Sequence, residues 1–149
     1  MNEPVTTDRQ QWMAVLARAT TAEIRNCLPK APALPHHKPL RGPEVGLVMM
    51  QGRAGGDGAN FNFSEVTVTR CAVSLDDGTI GHAYVLGRDH EQAELAAILD
   101  AALQSDASRI LWLDMVIRPL AEQQASRKSD QAGRAAATKV QFFTMATMR

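Results

Sequence analysis

The sequence has no excess of charge of either sign, which excludes one large class of function. Lysine and arginine together number 16, and aspartate and glutamate together also number 16, so the formal net charge is zero. Proteins that bind nucleic acid mainly through its phosphates need a surplus of basic side chains. A neutral chain also has little repulsion between molecules, which suits a subunit of an assembly. With 149 residues, 45% of them hydrophobic and 21% charged, the composition is that of one ordinary globular domain.

Cysteine and long apolar runs are scarce as well. The two cysteines, Cys27 and Cys71, lie far apart and do not have the spacing of metal ligands. The simplest interpretation is a pair of reduced, buried thiols in a cytoplasmic protein. No apolar stretch reaches the roughly 20 residues that span a bilayer. Charged residues precede the first apolar run, unlike in a signal peptide. We therefore expect a soluble, cytoplasmic chain.

The order of the remaining patterns predicts an α+β fold in a single domain, residues 1–149. Its expected parts are N-terminal helices at 7–28, a proline-rich connector at 29–43, an antiparallel hairpin or meander sheet at about 44–86, a helix at 89–104, and a C-terminal helix with an apolar tail at 119–149. We expect the N-terminal helical hairpin and the C-terminal helices to pack on the sheet. The prolines of the connector lack a backbone N–H and restrict the residues before them, which argues against a helix or a central strand there.

The N-terminal helix has one apolar face. Trp12, Val15, Leu16 and Ala19 recur at helical spacing, and core packing is the expected use of that face.

The adjacent pair His36-His37 follows in the connector. Neighbouring side chains on an extended chain point to opposite sides, so we expect no shared metal ion there.

A glycine-rich loop separates the first two predicted strands. It reads Arg53-Ala54-Gly55-Gly56-Asp57-Gly58. Glycines let backbone N–H groups turn inward together and form an anion-binding nest. The loop is neither a Walker loop nor a dinucleotide fingerprint, because no Gly-Lys-Ser/Thr follows and a strand comes next. A flexible hairpin loop is the alternative to an anion site.

The second predicted strand changes its apolar face along its length. Val66 and Val68 share one parity, whereas Cys71 and Val73 share the other. Because strand side chains alternate, either a β-bulge near Thr69-Arg70 reverses the faces or both faces are covered at that point.

The next strands are predicted to meet at a two-residue type I′ turn at Asp77-Gly78. This turn would place Leu75 opposite Ile80, Val73 opposite His82 and Cys71 opposite Tyr84. Those pairs would form a bulky apolar face, with a small-residue face behind it. His82 would then be a hydrogen-bonded core residue.

The following helix is predicted to begin at Asp89, with Gln92 completing a capping box. A helix N-terminus presents unpaired N–H donors and a partial positive charge, which suit a phosphate. Arg88 lies beside it and could clamp an anion in a bidentate way. The alternative for Arg88 is an ordinary surface arginine.

The C-terminal third is less clear. Residues 110–117 are almost continuously apolar and could form a buried strand or a helix, and Pro119 is expected to end them. Residues 120–138 predict a solvated helix that is marginal without a partner surface. The tail Val140-Gln141-Phe142-Phe143-Thr144-Met145 is expected to join a sheet or insert into another chain.

The chain resembles the PhnG family, the small subunits of the bacterial carbon–phosphorus lyase system. The resemblance covers nearly the whole chain. It is carried by Arg9-Gln10-x-Trp12-Met13-x-Val15-Leu16-Ala17, Gly46-Leu47-Val48, Arg53-x-Gly55-Gly56-x-Gly58, Thr67-x-Thr69-Arg70-x-Ala72-Val73, Asp77-Gly78-Thr79-x-Gly81, Val85-Leu86-Gly87-Arg88-Asp89 and Phe142-Phe143-Thr144-Met145.

The resemblance implies a role in a cytoplasmic core complex with H, I and J subunits, most directly with the I type, for growth on phosphonates as a phosphorus source. That complex displaces adenine from ATP, with magnesium, by methylphosphonate to give α-D-ribose 1-methylphosphonate 5-triphosphate. The I subunit is the implied catalyst. A J subunit with an iron–sulfur cluster and S-adenosylmethionine breaks the C–P bond. Two isolated cysteines do not suffice for such a cluster, and the sequence shows no obvious nucleophile–base pair or carboxylate dyad. No cofactor, metal or catalytic residue is therefore expected in this chain.

Three hypotheses about its role remain open. The chain could be an accessory subunit that shapes a partner's site. It could instead contribute phosphate-binding residues to a shared site, or be an independent small-anion-binding enzyme. The candidate ligand-binding residues are Arg53, Gly55, Gly56, Gly58, Arg70 and Arg88.

Overall fold

A computed structural model describes residues 8–55 and 57–140 of the chain. Three antiparallel strands form one sheet in the order β1-β2-β3. The strands are β1 (His37–Arg53), β2 (Asn60–Leu75) and β3 (Ile80–Leu86). The helices are α1 (Asp8–Arg18), α2 (Thr21–Cys27), α3 (His90–Leu103), α4 (Asp106–Trp112) and α5 (Arg118–Ala137), with a 3₁₀ turn at Leu28–Lys30 and a π-helical segment at Leu113–Ile117. The predicted α+β class and its meander sheet are confirmed.

Helix α3 forms the centre of the core and covers one face of the sheet. The buried cluster combines α3 with Trp12 and Leu16 of α1 and with the inward side chains of β2 and β3. The contact is closest at Gly81. A Cβ atom at this position would overlap the carbonyl oxygen of Ala97 and lie 2.7 Å from the nitrogen of Ala101. Only glycine lets the helix backbone lie this near the strand.

The predicted two-residue turn at Asp77-Gly78 is wrong. The loop has three residues, because Leu75 N–H donates to the Thr79 carbonyl (2.9 Å) and Gly78 N–H to the Leu75 carbonyl (3.0 Å). Among the described residues only glycines have positive φ, and Gly78 is one of them at +85°. A type I′ turn needs positive φ at Asp77 too, whereas a three-residue loop needs it only at its last residue.

The longer loop shifts the register by one residue. Cys71 pairs with Ala83, and Val73 pairs with Gly81. Large and small side chains therefore share the buried face, and the predicted separation into a bulky and a small face is wrong. His82 lies on the opposite, exposed face rather than in the core.

No bulge interrupts β2 at Thr69-Arg70, since the pairing with both neighbours is regular there. Val68 and Thr69 are both buried instead, so the alternative that both faces are covered is confirmed. Two bulges lie in β1, between Pro39 and Glu44, and a third register shift lies between Met50 and Gln51, where β2 has the extra residue Phe63.

The proline-rich stretch is only partly a connector, because β1 already begins at His37. Among the described strands, β1 pairs with β2 alone and so lies at the edge of the sheet. Edge strands tolerate proline, and bulges beside Pro39 and Pro43 further relax the demand for backbone donors.

The ambiguous residues 110–117 are helical, and Pro119 does not end them. Helix α4 continues through the π-helical segment into α5, with Pro119 in the first turn of α5. A proline in a helix clashes with the carbonyl four residues earlier, here that of Met115. That carbonyl lies in the π-helical segment, where Arg118 N–H bonds the Leu113 carbonyl and the turn is wider.

Helix α5 is exposed along most of its length, as predicted for residues 120–138. Leu120 is its buried residue. Gln124 donates to the Val15 carbonyl (2.9 Å), and Arg127 pairs with Glu23 (2.8 Å). The apolar tail after Val140 lies outside the described residues. Within the described part of the chain, no helix combines the length and the apolar character that crossing a membrane requires.

Candidate functional site

The glycine-rich loop lies at the far end of the β1–β2 hairpin. Arg53 ends β1, and its Nε donates to Oδ1 of Asn60 at the start of β2 (2.6 Å). Gly55 has φ of +67°, and a Cβ at Gly58 would lie 2.7 Å from the carbonyl oxygen of Ala54. Both glycines are thus required by the backbone of the loop. Gly56 lies outside the described residues, so the nest stays a prediction.

The structure does not bring Arg53 and Arg70 together. Arg53 pairs with Asn60, ten residues before Arg70 on the same strand. At about 3.3 Å per residue, this separation is about 33 Å along β2. The loop and Arg70 therefore belong to different ends of the hairpin.

Arg70 instead belongs to a cluster on the exposed face of the sheet, opposite α3. We call Arg41, Glu44, Arg70, His82 and Tyr84 the outer-face cluster. Arg70 Nε donates to Glu44 Oε1 (2.6 Å), and Arg41 Nε lies 3.4 Å from the same oxygen. The hydrogen bond with Glu44 raises the pKa of Arg70, and Tyr84 adds to the effect. Both arginines, His82 and Tyr84 line a cavity of about 230 Å³.

The β1 bulges create this cluster. They bring Glu44 opposite Arg70 and Arg41 opposite Ala72, so that the two β1 side chains share the exposed face. One carboxylate faces two guanidinium groups, which leaves an excess of one positive charge. Chemically, such an arrangement favours an anion or a carboxylate of another molecule.

Arg88 lies where it was predicted, just before α3, but a carboxylate already caps that helix. Asp89 accepts hydrogen bonds from Gln92 N–H (3.0 Å) and from the Thr21 hydroxyl (2.8 Å). The Gln92 N–H bond is the main reason that the pKa of Asp89 is lowered. Arg88 itself is exposed and makes no hydrogen bond or ion pair with any residue that the structure describes. The carboxylate of Asp89 thus stands where a phosphate was expected.

The predicted capping box at Asp89 is only half formed. The Gln92 side chain does not return to the backbone of Asp89 but donates to the carbonyls of Ala17 and Ala19 at the end of α1. A complete capping box occurs at Thr20 and Glu23 instead, where α2 begins.

Sequence reasoning missed Asp100 of α3, the most buried ionisable group among the described residues, whose exposure is 0%. Its carboxylate accepts from Arg9 (2.7 and 3.1 Å), from the Trp12 indole N–H (2.9 Å) and from the backbone N–H of His82 (2.9 Å). The signal was present in the sequence. An aspartate within the run Leu95–Leu103 needs buried partners, since a lone buried charge is very unfavourable.

The two thiols are poorly suited to nucleophilic chemistry. Cys71 is buried and Cys27 is half-buried, and burial raises the pKa of both. Because the thiolate is the reactive form, a raised pKa makes these groups less reactive near neutral pH.

The fold and the outer-face cluster define a small α+β protein whose sheet is covered by helices on one face and offers charged and apolar side chains on the other. A sheet face that no helix covers, with charged and apolar side chains on it, is typical of a subunit that contacts another molecule. The chain belongs to the PhnG family, since the model of the family described as "Phosphonate metabolism protein PhnG" matches residues 7–147. The family resemblance inferred from the sequence is thereby confirmed.

A relative from Rhizobium meliloti (strain 1021) is 43% identical over 141 residues, which cover 92% of this chain and 87% of the relative. It is named alpha-D-ribose 1-methylphosphonate 5-triphosphate synthase subunit PhnG. The likeness therefore extends over nearly the whole of both chains. That relative is, by its name, one subunit of a synthase and not the whole enzyme.

Proposed function

We propose that the chain is an accessory subunit of α-D-ribose 1-methylphosphonate 5-triphosphate synthase, in the carbon–phosphorus lyase core complex that degrades phosphonates. The observation that carries the proposal is the 43% identity over 92% of the chain to a named subunit of that synthase. The complex exchanges the adenine of ATP, with magnesium, for methylphosphonate. In this proposal the other subunits are of the H, I and J types and the complex is cytoplasmic.

The accessory role is supported by how the ionisable groups of this chain are used. The Asp100 carboxylate receives four hydrogen bonds from within the fold, and both thiols have raised pKa values. Glu44 is engaged by two arginines. The two carboxylates are thus engaged by groups of this chain, and the thiols are poor nucleophiles. We place the chemistry of adenine displacement in a partner, most directly the I-type subunit, and the iron–sulfur cluster with S-adenosylmethionine in the J-type subunit.

Reconstitution tests this function. The candidate partners are purified together with and without this chain, and adenine release from ATP and methylphosphonate is measured. We expect release to fall at least about tenfold without the chain, which corresponds to about 1.4 kcal/mol of activation free energy, and to recover when the chain is added back. The isolated chain should release no adenine. Equal rates with and without the chain, or turnover by the chain alone, would refute the proposal.

A second candidate role is that the outer-face cluster contributes directly to phosphate binding in the shared site. It is favoured by the uneven pairing of Arg41 and Arg70 with one carboxylate beside a cavity that Tyr84 and His82 also line. Among the ligand-binding candidates predicted from the sequence, Arg70 lies in this cluster. The loop of Arg53 lies at the other end of the hairpin, and Arg88 stands beside a helix that is already capped.

Single substitutions separate the two roles. If the cluster binds phosphate, Arg70→Ala should leave the complex intact, raise the KM for ATP and lower adenine release by about tenfold or more, since a bidentate guanidinium contact is among the stronger hydrogen bonds. Arg70→Lys should give an intermediate effect. The matched control is Arg118→Ala, which removes an exposed arginine paired with Asp114. Loss of co-purification in Arg70→Ala, or unchanged kinetics, would assign Arg70 to assembly or to the surface. Arg53→Ala and Arg88→Ala extend the comparison.

A further inference from the structure

The distal half of the β1–β2 hairpin extends beyond the body of the protein. Strand β3 pairs with β2 only from Ser74 to Val68, whereas β1 and β2 remain paired as far as Arg53 and Asn60. We call residues 45–53 and 60–67 the ribbon. Both outer edges of the ribbon lack a neighbouring strand among the described residues. Two-stranded hairpins of this kind are only marginally stable alone in water.

The first face of the ribbon is apolar and aromatic. Val48 lies directly opposite Val66, and Gly52 lies opposite Phe61. Opposite residues share a face, so the side chains of Val48, Val66 and Phe61 point to the same side of the ribbon. The Phe63 ring lies over Gly52, so close that a Cβ at Gly52 would be 3.1 Å from the ring. The rings of Phe61 and Phe63 are 6.1 Å apart at a tilt of 60°. The glycine thus leaves room for an aromatic ring to pack against the strand backbone.

The second face carries apolar side chains from β1 beside polar side chains from β2, where Thr67 lies opposite Leu47 and Glu65 lies opposite Met49. Val45, Leu47 and Met49 alternate with the residues of the first face and so point the other way. The large hydrophobic side chains of the ribbon are between 38% and 65% exposed, and they are Val45, Leu47, Val48, Met49, Met50, Phe61 and Phe63. Charge is sparse: Glu65 and Arg53, which ends β1, are the charged residues of the ribbon.

The exposed apolar area indicates how the ribbon is covered. Seven half-exposed large side chains present on the order of 500 Å² of apolar surface, given that a fully buried aromatic side chain removes about 150–250 Å² from water. This area is divided between the two faces, and exposed apolar areas of a few hundred Å² are often functional. A stable interface needs about 800 Å² on each partner. The ribbon reaches that value only if both of its faces are covered, together with its backbone edges.

We propose that the ribbon inserts into a largely apolar cleft of another subunit of the synthase, which covers the exposed apolar side chains on both faces. A second copy of this chain fits less well. Two ribbons packed face to face would bury one face of each and leave either the Leu47 face or the Phe63 face in water. Because Arg53 and Glu65 balance each other in charge, the ribbon does not favour a strongly acidic or strongly basic docking surface. This inference depends on the proposed function, because the partner is a subunit of that complex.

Opposite faces can be tested by one substitution each, Leu47→Glu and Phe63→Glu. The full-length chain is co-expressed with the tagged partner subunits, and the fraction retained is measured against competing wild-type chain. We expect each variant to bind at least about tenfold more weakly, because an unpaired carboxylate in an apolar cleft is strongly disfavoured. The control is Ile110→Glu on α4, where the replaced side chain is 71% exposed and lies outside the ribbon. It should be retained like wild type.

Each other outcome contradicts a stated part of the inference. All three isolated variants should keep the wild-type melting temperature within a few degrees, since the replaced side chains are exposed. If both ribbon variants are retained like wild type, the inference is overturned while the proposed function stands. If only one face matters, enclosure is wrong, and a dimer of the isolated chain in light scattering would assign the contact to a second copy. If the wild-type chain itself is not retained, the proposed function fails together with the inference.

Discussion

Replacing Gly81 by alanine is expected to destabilise the protein by about 3 kcal/mol or more, at the upper end of the range for added core volume. The added Cβ would overlap the carbonyl oxygen of Ala97 and lie 2.7 Å from the nitrogen and 2.8 Å from the Cβ of Ala101. These atoms belong to α3, and backbone cannot rotate away as the end of a side chain can. The helix must therefore move outward. Equilibrium unfolding in urea measures the effect, which is large against a total stability of about 5–15 kcal/mol.

Gly46→Ala is the matched control for this experiment. Gly46 also lies within a strand, β1, but a Cβ at this position would have no heavy atom within 4 Å. Its φ is not positive, so alanine fits the backbone. We expect the free energy of unfolding to stay the same or to rise by up to about 1 kcal/mol, since glycine loses more conformational freedom on folding. Equal effects of the two substitutions would mean that α3 does not approach β3 closely.

The fold class could be predicted from the sequence because hydrophobic periodicity and turn signals act locally. The register of β2 and β3 could not. Asp77-Gly78 fits a two-residue I′ turn as well as the end of a three-residue loop, and the difference depends on the φ of Asp77 alone. In the structure Asp77 accepts from Thr79 N–H (2.8 Å), which supports the longer loop. The additional loop residue shifts the register by one, and His82 therefore lies on the exposed face and not in the core, where it was predicted.

The C-terminal helices show a second limit of local rules. Pro119 is a strong stop signal in a regular α-helix, and no feature of the sequence predicts the π-helical segment before it. Packing supplies the reason, since Trp112, Val116, Ile117 and Leu120 are all buried. A helix with one wider turn keeps these side chains on the core side while the proline is accommodated.

The candidate site was only partly predictable. Arg70 was identified, but its partners Arg41 and Glu44 were not, because their position depends on two bulges in β1 that bring residues far apart in sequence to one face. Arg53 was grouped with Arg70 although strand length alone separates them by about 33 Å. Spacing in the sequence predicts neighbours within an element, whereas pairing between elements decides which charges meet.

The second large effect is expected at Asp100. Asp100→Ala should lower the free energy of unfolding by about 3–5 kcal/mol, because removing one partner of a buried ion pair leaves the others without compensation. Arg9 is partly exposed and can turn to water, but Trp12 is 4% exposed, so its indole N–H would lose its partner in the interior. The His82 N–H at the edge of β3 would lose its acceptor too. Urea unfolding followed by tryptophan fluorescence reports the change.

Two comparisons make the Asp100 result specific. Asp106→Ala removes an aspartate that is 91% exposed and paired with Arg109, and surface pairs of this kind contribute only about 0–1 kcal/mol. Arg9→Ala removes one donor group and leaves those from Trp12 and His82, so its effect should fall between the two aspartate substitutions. A small loss in Asp100→Ala, similar to that in Asp106→Ala, would mean that the carboxylate does not fasten α1 to the edge of β3. A large loss identifies this contact as the one that fixes α1 and the sheet edge in place, and with them the face that carries His82 and Tyr84.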